Sequence, residues 1–124
     1  LQGKSIKHNG KTIKPSQVIY KEPPKKITYV LDTAPNPNIE KLAKNADLLI
    51  IESSFLDKDS AQAKEKNHLT ALQAAKIAKK AKVKRLAIIH ISPRYEKNLS
   101  EVLKEAKSVF NRTIMPKDLD SLEI

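Results

Sequence analysis

Three short apolar runs set the rhythm of this chain, and each stops on a polar side chain. Tyr29-Val30-Leu31 runs into Asp32, Leu48-Leu49-Ile50-Ile51 into Glu52, and Leu86-Ala87-Ile88-Ile89 into His90. Brief continuous runs of this kind predict buried strands, here over 27–32, 47–51 and 85–89. Between them the apolar period becomes helical. Asn36 as cap and Pro37 at the first helical position open a short helix whose Ile39, Leu42, Ala43 and Ala46 form one apolar face. Thr70-Ala71-Leu72-Gln73 fits a capping box, so a second helix starts there and runs to about position 82. Its Ala71, Ala74, Ala75 and Ala78 make a narrow face of small residues that lets it lie close on a sheet. Asn98 and Glu101 predict the cap of a third helix, with Leu99, Val102, Leu103, Ala106, Val109 and Phe110 on its apolar side. Segments 112–115 and 122–124 predict closing strands, and 53–66 reads as a polar, mobile loop.

Ahead of these elements, 5–14 reads as a β-hairpin. Asn9-Gly10 supplies the two positive-φ positions of a type I′ turn, and Ile6 pairs across it with Ile13. His8 beside the turn reads as an ordinary exposed histidine. The basic connector 15–26 carries Pro23-Pro24, which a central strand does not admit. Strand–helix–strand alternation after the hairpin predicts an α/β architecture.

A length of 124 residues bounds the chain to one domain with a modest core. With 40% apolar and 31% charged residues it has the composition of a soluble globular protein. No apolar run approaches the roughly 18–20 residues of a membrane span, and no secretory or lipidation signal is recognisable. The absence of cysteine excludes disulfides and thiolate metal sites, and fits a reducing, cytoplasmic compartment. A net charge of +10 favours an anionic partner such as nucleic acid, with a solvated lysine-rich surface as the alternative. Lys76, Lys79, Lys80 and Lys82 read as solvated, in preference to a dedicated RNA stripe.

Sites in open α/β sheets gather where parallel strands end at their carboxyl edge. Here that edge would carry Asp32, Glu52 and His90, with His68 just ahead of a helix: the ligand types of a hydrolytic metal centre. Each also has an ordinary reading. Asp32 or Glu52 could cap loop donors, His90 could be a satisfied half-buried histidine, and His68 a surface one. A phosphate could rest at the helix start beside His68. Arg94 follows in a loop stiffened by Pro93, where it could grip phosphate as a fork or tie the loop to a carboxylate.

Leu31-Asp32-Thr33, Ile51-Glu52-Ser53-Ser54, His68-Leu69-Thr70-Ala71 and His90-Ile91-Ser92-Pro93-Arg94-Tyr95 resemble, in order and spacing, the last four motifs of ribonuclease Z. That family comprises zinc-dependent endonucleases of the metallo-β-lactamase fold that trim the 3′ end of precursor tRNA. The resemblance runs the length of the chain. The family pattern is Gly-Asp-Thr, His-Glu-Ala-Thr and His-Ser-Thr, so Leu31, Ile51, Ser53 and Leu69 depart from it, while Ser54 and Thr70 keep its hydroxyls. Pro116-Lys117-Asp118-Leu119 resembles a loop that reads Ala-x-Asp-x, where Asp118 either fixes the loop or touches substrate.

The resemblance implies a fold: the C-terminal half of a metallo-β-lactamase αββα sandwich, preceded by a hairpin. Residues 1–124 would be part of a single domain, with the sheet packed on its missing partner. The family's His-x-His-x-Asp-His motif is absent, the histidines being His8, His68 and His90, and the chain begins at Leu1 without an initiating Met. The implied chain is therefore a half-enzyme, inactive alone, whose partners are the N-terminal half, precursor tRNA and a second copy in a homodimer. It implies two zinc ions, with Asp32 bridging them and His90 a ligand through its neutral imidazole. His68 would protonate the leaving oxygen or contact the scissile phosphate, with Glu52 orienting and charging it, and Arg94 would meet substrate. The general base would come from the missing motif. Two alternatives remain open: another hydrolase of this fold acting on phosphodiesters or small esters, or a non-catalytic basic RNA-binding module.

Overall fold

Each of the three apolar runs becomes a parallel strand. The computed structural model describes residues 24–124 and, before them, the backbone of two short strands. These are β1 (Ile6–His8) and β2 (Lys11–Ile13), paired antiparallel with Ile6 opposite Ile13, the register expected of the hairpin. The turn at Asn9-Gly10, the exposure expected of His8 and most of the connector lie outside the described residues. β3 (Ile27–Val30), β4 (Leu48–Glu52), β5 (Leu86–Ile89) and β6 (Thr113–Ile114) then form a four-stranded parallel sheet in that order. Helix α1 (Pro37–Ala43) connects β3 to β4, α2 (Ser60–Glu65) and α3 (Ala71–Ala81) connect β4 to β5, and α4 (Leu99–Val109) connects β5 to β6.

The register aligns Val30 with Ile51 and Ile88, and Leu49 with Leu86. Alternation puts these side chains on one face, where they join Ile39, Ala43, Val102 and Ala106 of the helices in a single core. Burying each large aliphatic side chain contributes about 1.5–3 kcal/mol. On the opposite face Ile27 and Tyr29 are 52% and 58% exposed, and Leu31 beyond them 40%. Helix on one side and an open apolar row on the other is the layout of one αβ layer of a sandwich.

The helix starts follow their sequence signals closely. The Asn36 side chain accepts from Asn38 N at 3.0 Å, with Pro37 in the first turn. Both bonds of the Thr70–Gln73 capping box form, at 3.1 and 2.9 Å. Ala71, Ala74, Ala75, Ala78 and Ala81 of α3 are all buried.

Four expectations are corrected. Leu42 is exposed, because at 100° per residue it lies about 80° from the centre of the arc between Ile39 and Ala43. Asn98 makes no side-chain cap, since its ψ of 31° is not the extended value a capping side chain needs. The stretch 53–66 is not a loose loop: Phe55 and Leu56 are buried, and a 3-10 turn (Asp57–Asp59) leads into α2. Segment 122–124 forms no strand, whereas 112–115 contains β6.

Candidate metal centre

Strands β3, β4 and β5 deliver Asp32, Glu52 and His90 to one sheet edge. Asp32 and His90 each sit just past a strand end, with φ of 50° and 56°. The left-handed region costs a residue with a Cβ about 1–2 kcal/mol, least for Asp, Asn and His. Leaving the strand in this way turns each side chain across the edge instead of along the pleat. Asp32 Oδ1 comes to 3.6 Å from His90 Nδ1, too long for a hydrogen bond. His68 enters from the segment before α3, its ring centroid 5.5 Å from that of His90. Ligand atoms of Asp32, His68 and His90 all lie within 4.8 Å of one another.

Beneath them Glu52 is wholly buried, and a buried carboxylate needs donors. Its Oε1 accepts from His68 Nδ1 at 2.9 Å, Thr33 N at 3.2 Å and Leu69 N at 3.3 Å. Its Oε2 accepts from Ser54 N at 3.2 Å and Ser54 Oγ at 2.7 Å. Ser54 Oγ also stands 3.0 Å from His90 Nδ1 and 3.0 Å from the His90 carbonyl. A hydroxyl has one proton to donate, and the short contact to the carboxylate is the strongest claim on it. Ser54 Oγ then accepts from His90 Nδ1–H. Both imidazoles thus anchor Nδ1 inward on one carboxylate, His68 directly and His90 through Ser54. Each turns Nε2 away from Glu52; for His90 this is the arrangement that orients a metal-binding histidine, and for His68 it leaves Nε2 to meet a substrate.

The Asp32 carboxylate and the His90 imidazole are donors that zinc accepts. With His68 beside them, their ligand atoms all lie within 4.8 Å of one another, close enough to serve one metal centre. The residues fit the group.

Arg94 stands to one side. Its guanidinium stacks 5.2 Å above the Phe55 ring and comes to 3.8 Å from Asp59 Oδ2. The Tyr95 hydroxyl donates to the same carboxylate oxygen and accepts from Leu56 N at 3.0 Å. Burial, and then the Asp59 contact, push the Tyr95 phenol above its ordinary pKa. The loop that follows His90 is therefore fastened to the loop that follows β4. Asp118 lines a hollow of about 350 Å³ together with His90, Ile91 and Leu99. The turn there is held by Asp120, whose carboxylate accepts from Lys117 N at 2.7 Å.

Sequence reasoning placed Asp32, Glu52, His68 and His90 at one edge, and the structure brings all four together. It missed the linking part of Ser54 and the Tyr95–Asp59 fastening. The hydroxyl that Ser54 keeps in the motif was the available signal for the first; nothing in sequence marked Asp59.

Residues 2–91 match the family model described as a beta-lactamase superfamily domain. The chain is 42% identical over 124 residues to ribonuclease Z of Archaeoglobus fulgidus, covering 99% of itself and 40% of that protein. To ribonuclease Z of Saccharolobus solfataricus it is 42% identical over 123 residues, covering 99% and 41%. Among solved structures, the metallo-beta-lactamase fold protein YhfI of Bacillus subtilis superposes with a TM-score of 0.64 at 28% identity, over 72% of this chain and 35% of YhfI. The short form of human tRNase Z superposes with a TM-score of 0.50 at 32% identity, over 68% and 28%. The chain spans about 40% of the length of the ribonuclease Z relatives it matches. On its sequence match and its αβ layer alike, the chain belongs to the beta-lactamase superfamily.

Proposed function

We propose that the chain is the C-terminal part of a zinc-dependent endoribonuclease that cleaves precursor tRNA at its 3′ end, within a single metallo-β-lactamase domain whose first half carries the remaining ligands. The observation that carries the reading is the convergence of Asp32, His68 and His90 within 4.8 Å at the sheet's carboxyl edge. The exposed row Ile27, Tyr29 and Leu31 supports a second layer over the open face of the sheet. No helix among the described residues is long and apolar enough to cross a membrane. A cytoplasmic homodimer is the assembly we propose.

Zinc, when bound, supplies Lewis-acid stabilisation of phosphate charge and lowers the pKa of the attacking water. Asp32 offers two carboxylate oxygens, enough to reach two ions, and His90 offers Nε2. Glu52 holds His68 by Nδ1–H, which aims Nε2 at the substrate side. From there a protonated His68 gives its proton to the leaving ribose oxygen. Arg94 uses one donor edge towards Asp59 and keeps others for a phosphate.

The test is cleavage. The protein extended to the length of its relatives is incubated with precursor tRNA and zinc, with and without a chelator, and the product ends are mapped. A single cut at the 3′ side, abolished by the chelator, is expected; indifference to the chelator overturns the metal reading. The 124-residue chain alone is expected to bind zinc weakly and to leave precursor tRNA intact, because catalytic ions take three protein ligands each. Metal-dependent cleavage by that chain would overturn its place as half of an enzyme.

A further inference from the structure

We propose that the furrow between α1 and α3 is a track for the sugar–phosphate backbone of an RNA strand running away from the centre. Three hollows adjoin along it. The first, of about 490 Å³, is lined by Ala34, Pro35, Lys64, His68 and Gln73. It shares Pro35 and Gln73 with a second of about 500 Å³, which adds Pro37, Lys76, Ile77 and Lys80. The second shares Glu40 and Lys80 with a third of about 330 Å³, which adds Lys41, Lys44 and Lys82. His68 thus stands at the head of a continuous furrow, and α3 carries it about 16 Å further at 1.5 Å per residue.

Its charge identifies the occupant. Six lysines line the three hollows against one acid, Glu40. Among the described residues none of the six pairs with a carboxylate. Facing lysines repel one another, and a polyanion removes that repulsion while its counterions are released. Pro35, Pro37 and Ile77 between the charges offer apolar surface to sugars and bases. The sequence alone suggested that Lys76, Lys80 and Lys82 were merely solvated. What changes this is that α1, some 40 positions earlier, brings Lys41 and Lys44 to the same furrow.

The identity of the strand rests on the nuclease reading, and the experiment separates the two. Lys76→Gln and Lys80→Gln are combined in the complete protein; both side chains are exposed, and Gln equals Lys as a helix former. Fluorescence anisotropy with labelled precursor tRNA, and with an unstructured single-stranded RNA, is followed from 50 to 200 mM salt. Zinc content and hydrolysis of bis(p-nitrophenyl) phosphate are measured beside it. Two lost phosphate contacts should flatten the slope of log K against log salt by about 1.4, at about 0.7 per contact on a single strand. Zinc content and hydrolysis of the small diester should stay unchanged. Lys97→Gln with Lys104→Gln, exposed elsewhere, should leave the slope alone. An equal change from that control pair would mean bulk charge and overturn the track. So would an unchanged slope in the Lys76 and Lys80 variant, leaving the nuclease reading standing if cleavage is normal. A wild-type protein that cleaves no phosphodiester defeats the nuclease reading, and the single-stranded RNA slope then still decides the track.

Discussion

Replacing Glu52 by Gln changes one atom and should disturb both stability and metal affinity. Gln keeps one acceptor oxygen and substitutes an NH2 for the other. The oxygen must stay on the Oε1 side, where two backbone donors, Thr33 N and Leu69 N, cannot turn away. The NH2 then faces Ser54. The Ser54 hydroxyl can reverse and accept from it, but Ser54 N is left against a donor. A buried donor without a partner costs about 1–3 kcal/mol, and the bonds that remain lose the charge that made them strong. The sum is about 2–4 kcal/mol, on the order of 5 °C in Tm for a protein of the relatives' length. Reversal of Ser54 has a second effect. Its proton is then shared between the His90 carbonyl and His90 Nδ1, both at 3.0 Å; turned to Nδ1, it moves the imidazole hydrogen to Nε2 and blocks the nitrogen proposed for metal. Losing such an orienting partner costs about 10–100-fold in affinity. Thermal unfolding and competition with a chromophoric zinc chelator, on the complete protein, read the two effects. A variant within about 1 kcal/mol and threefold of wild type would refute the shared-carboxylate account.

In the complete enzyme His68→Ala should lower turnover by about 10²–10⁴-fold while zinc stays bound, whereas His90→Ala should lose zinc as well; zinc loss in both variants would make His68 a ligand. Because the Tyr95 phenol is raised by burial and by Asp59, its contribution to stability should be complete below pH about 10, the unfolded value, and fall as pH rises from there through the higher folded value. Tyr95→Phe should remove that alkaline dependence and cost about 1–3 kcal/mol at neutral pH by stranding Leu56 N, which unfolding curves across pH would reveal. Ser53 Oγ is buried with no hydrogen-bond partner among the described residues, so Ser53→Ala should stabilise the chain by about 1 kcal/mol; a lower denaturation midpoint would contradict this.

The strands were readable because each is buried as a near-continuous apolar run, as parallel strands are. Asn36, Pro37 and the Thr70–Gln73 pair act locally, so their helix starts could be read locally too. Leu42 misled because α1 ends one residue later, and among the described residues no neighbouring helix reaches round to its side. In 53–66, polar composition masked the anchoring by Phe55 and Leu56, which is tertiary. The same division runs through the site. Four side-chain types at a sheet edge were visible in sequence. The left-handed turns at Asp32 and His90, and the link from Glu52 through Ser54 to a histidine 36 positions beyond Ser54, depend on tertiary packing. The furrow was invisible for the same reason: it needs two helices side by side.

The five buried alanines of α3 have a consequence for how this protein can change over generations. With only methyl groups on the helix side of its contact with the core, the depth at which α3 lies has little slack. His68 is three residues ahead of Ala71, in the short segment that leads into the Thr70 cap. Any larger side chain at Ala71, Ala74, Ala75 or Ala78 must lift the helix, and lifting it carries His68 away from Glu52. Drift at positions far from the sheet edge is thereby closed almost as tightly as drift at the edge residues themselves. The exposed lysines on the other side of the same helix are not held by that packing, so one element carries a face fixed by the core and a face answerable only to what it binds.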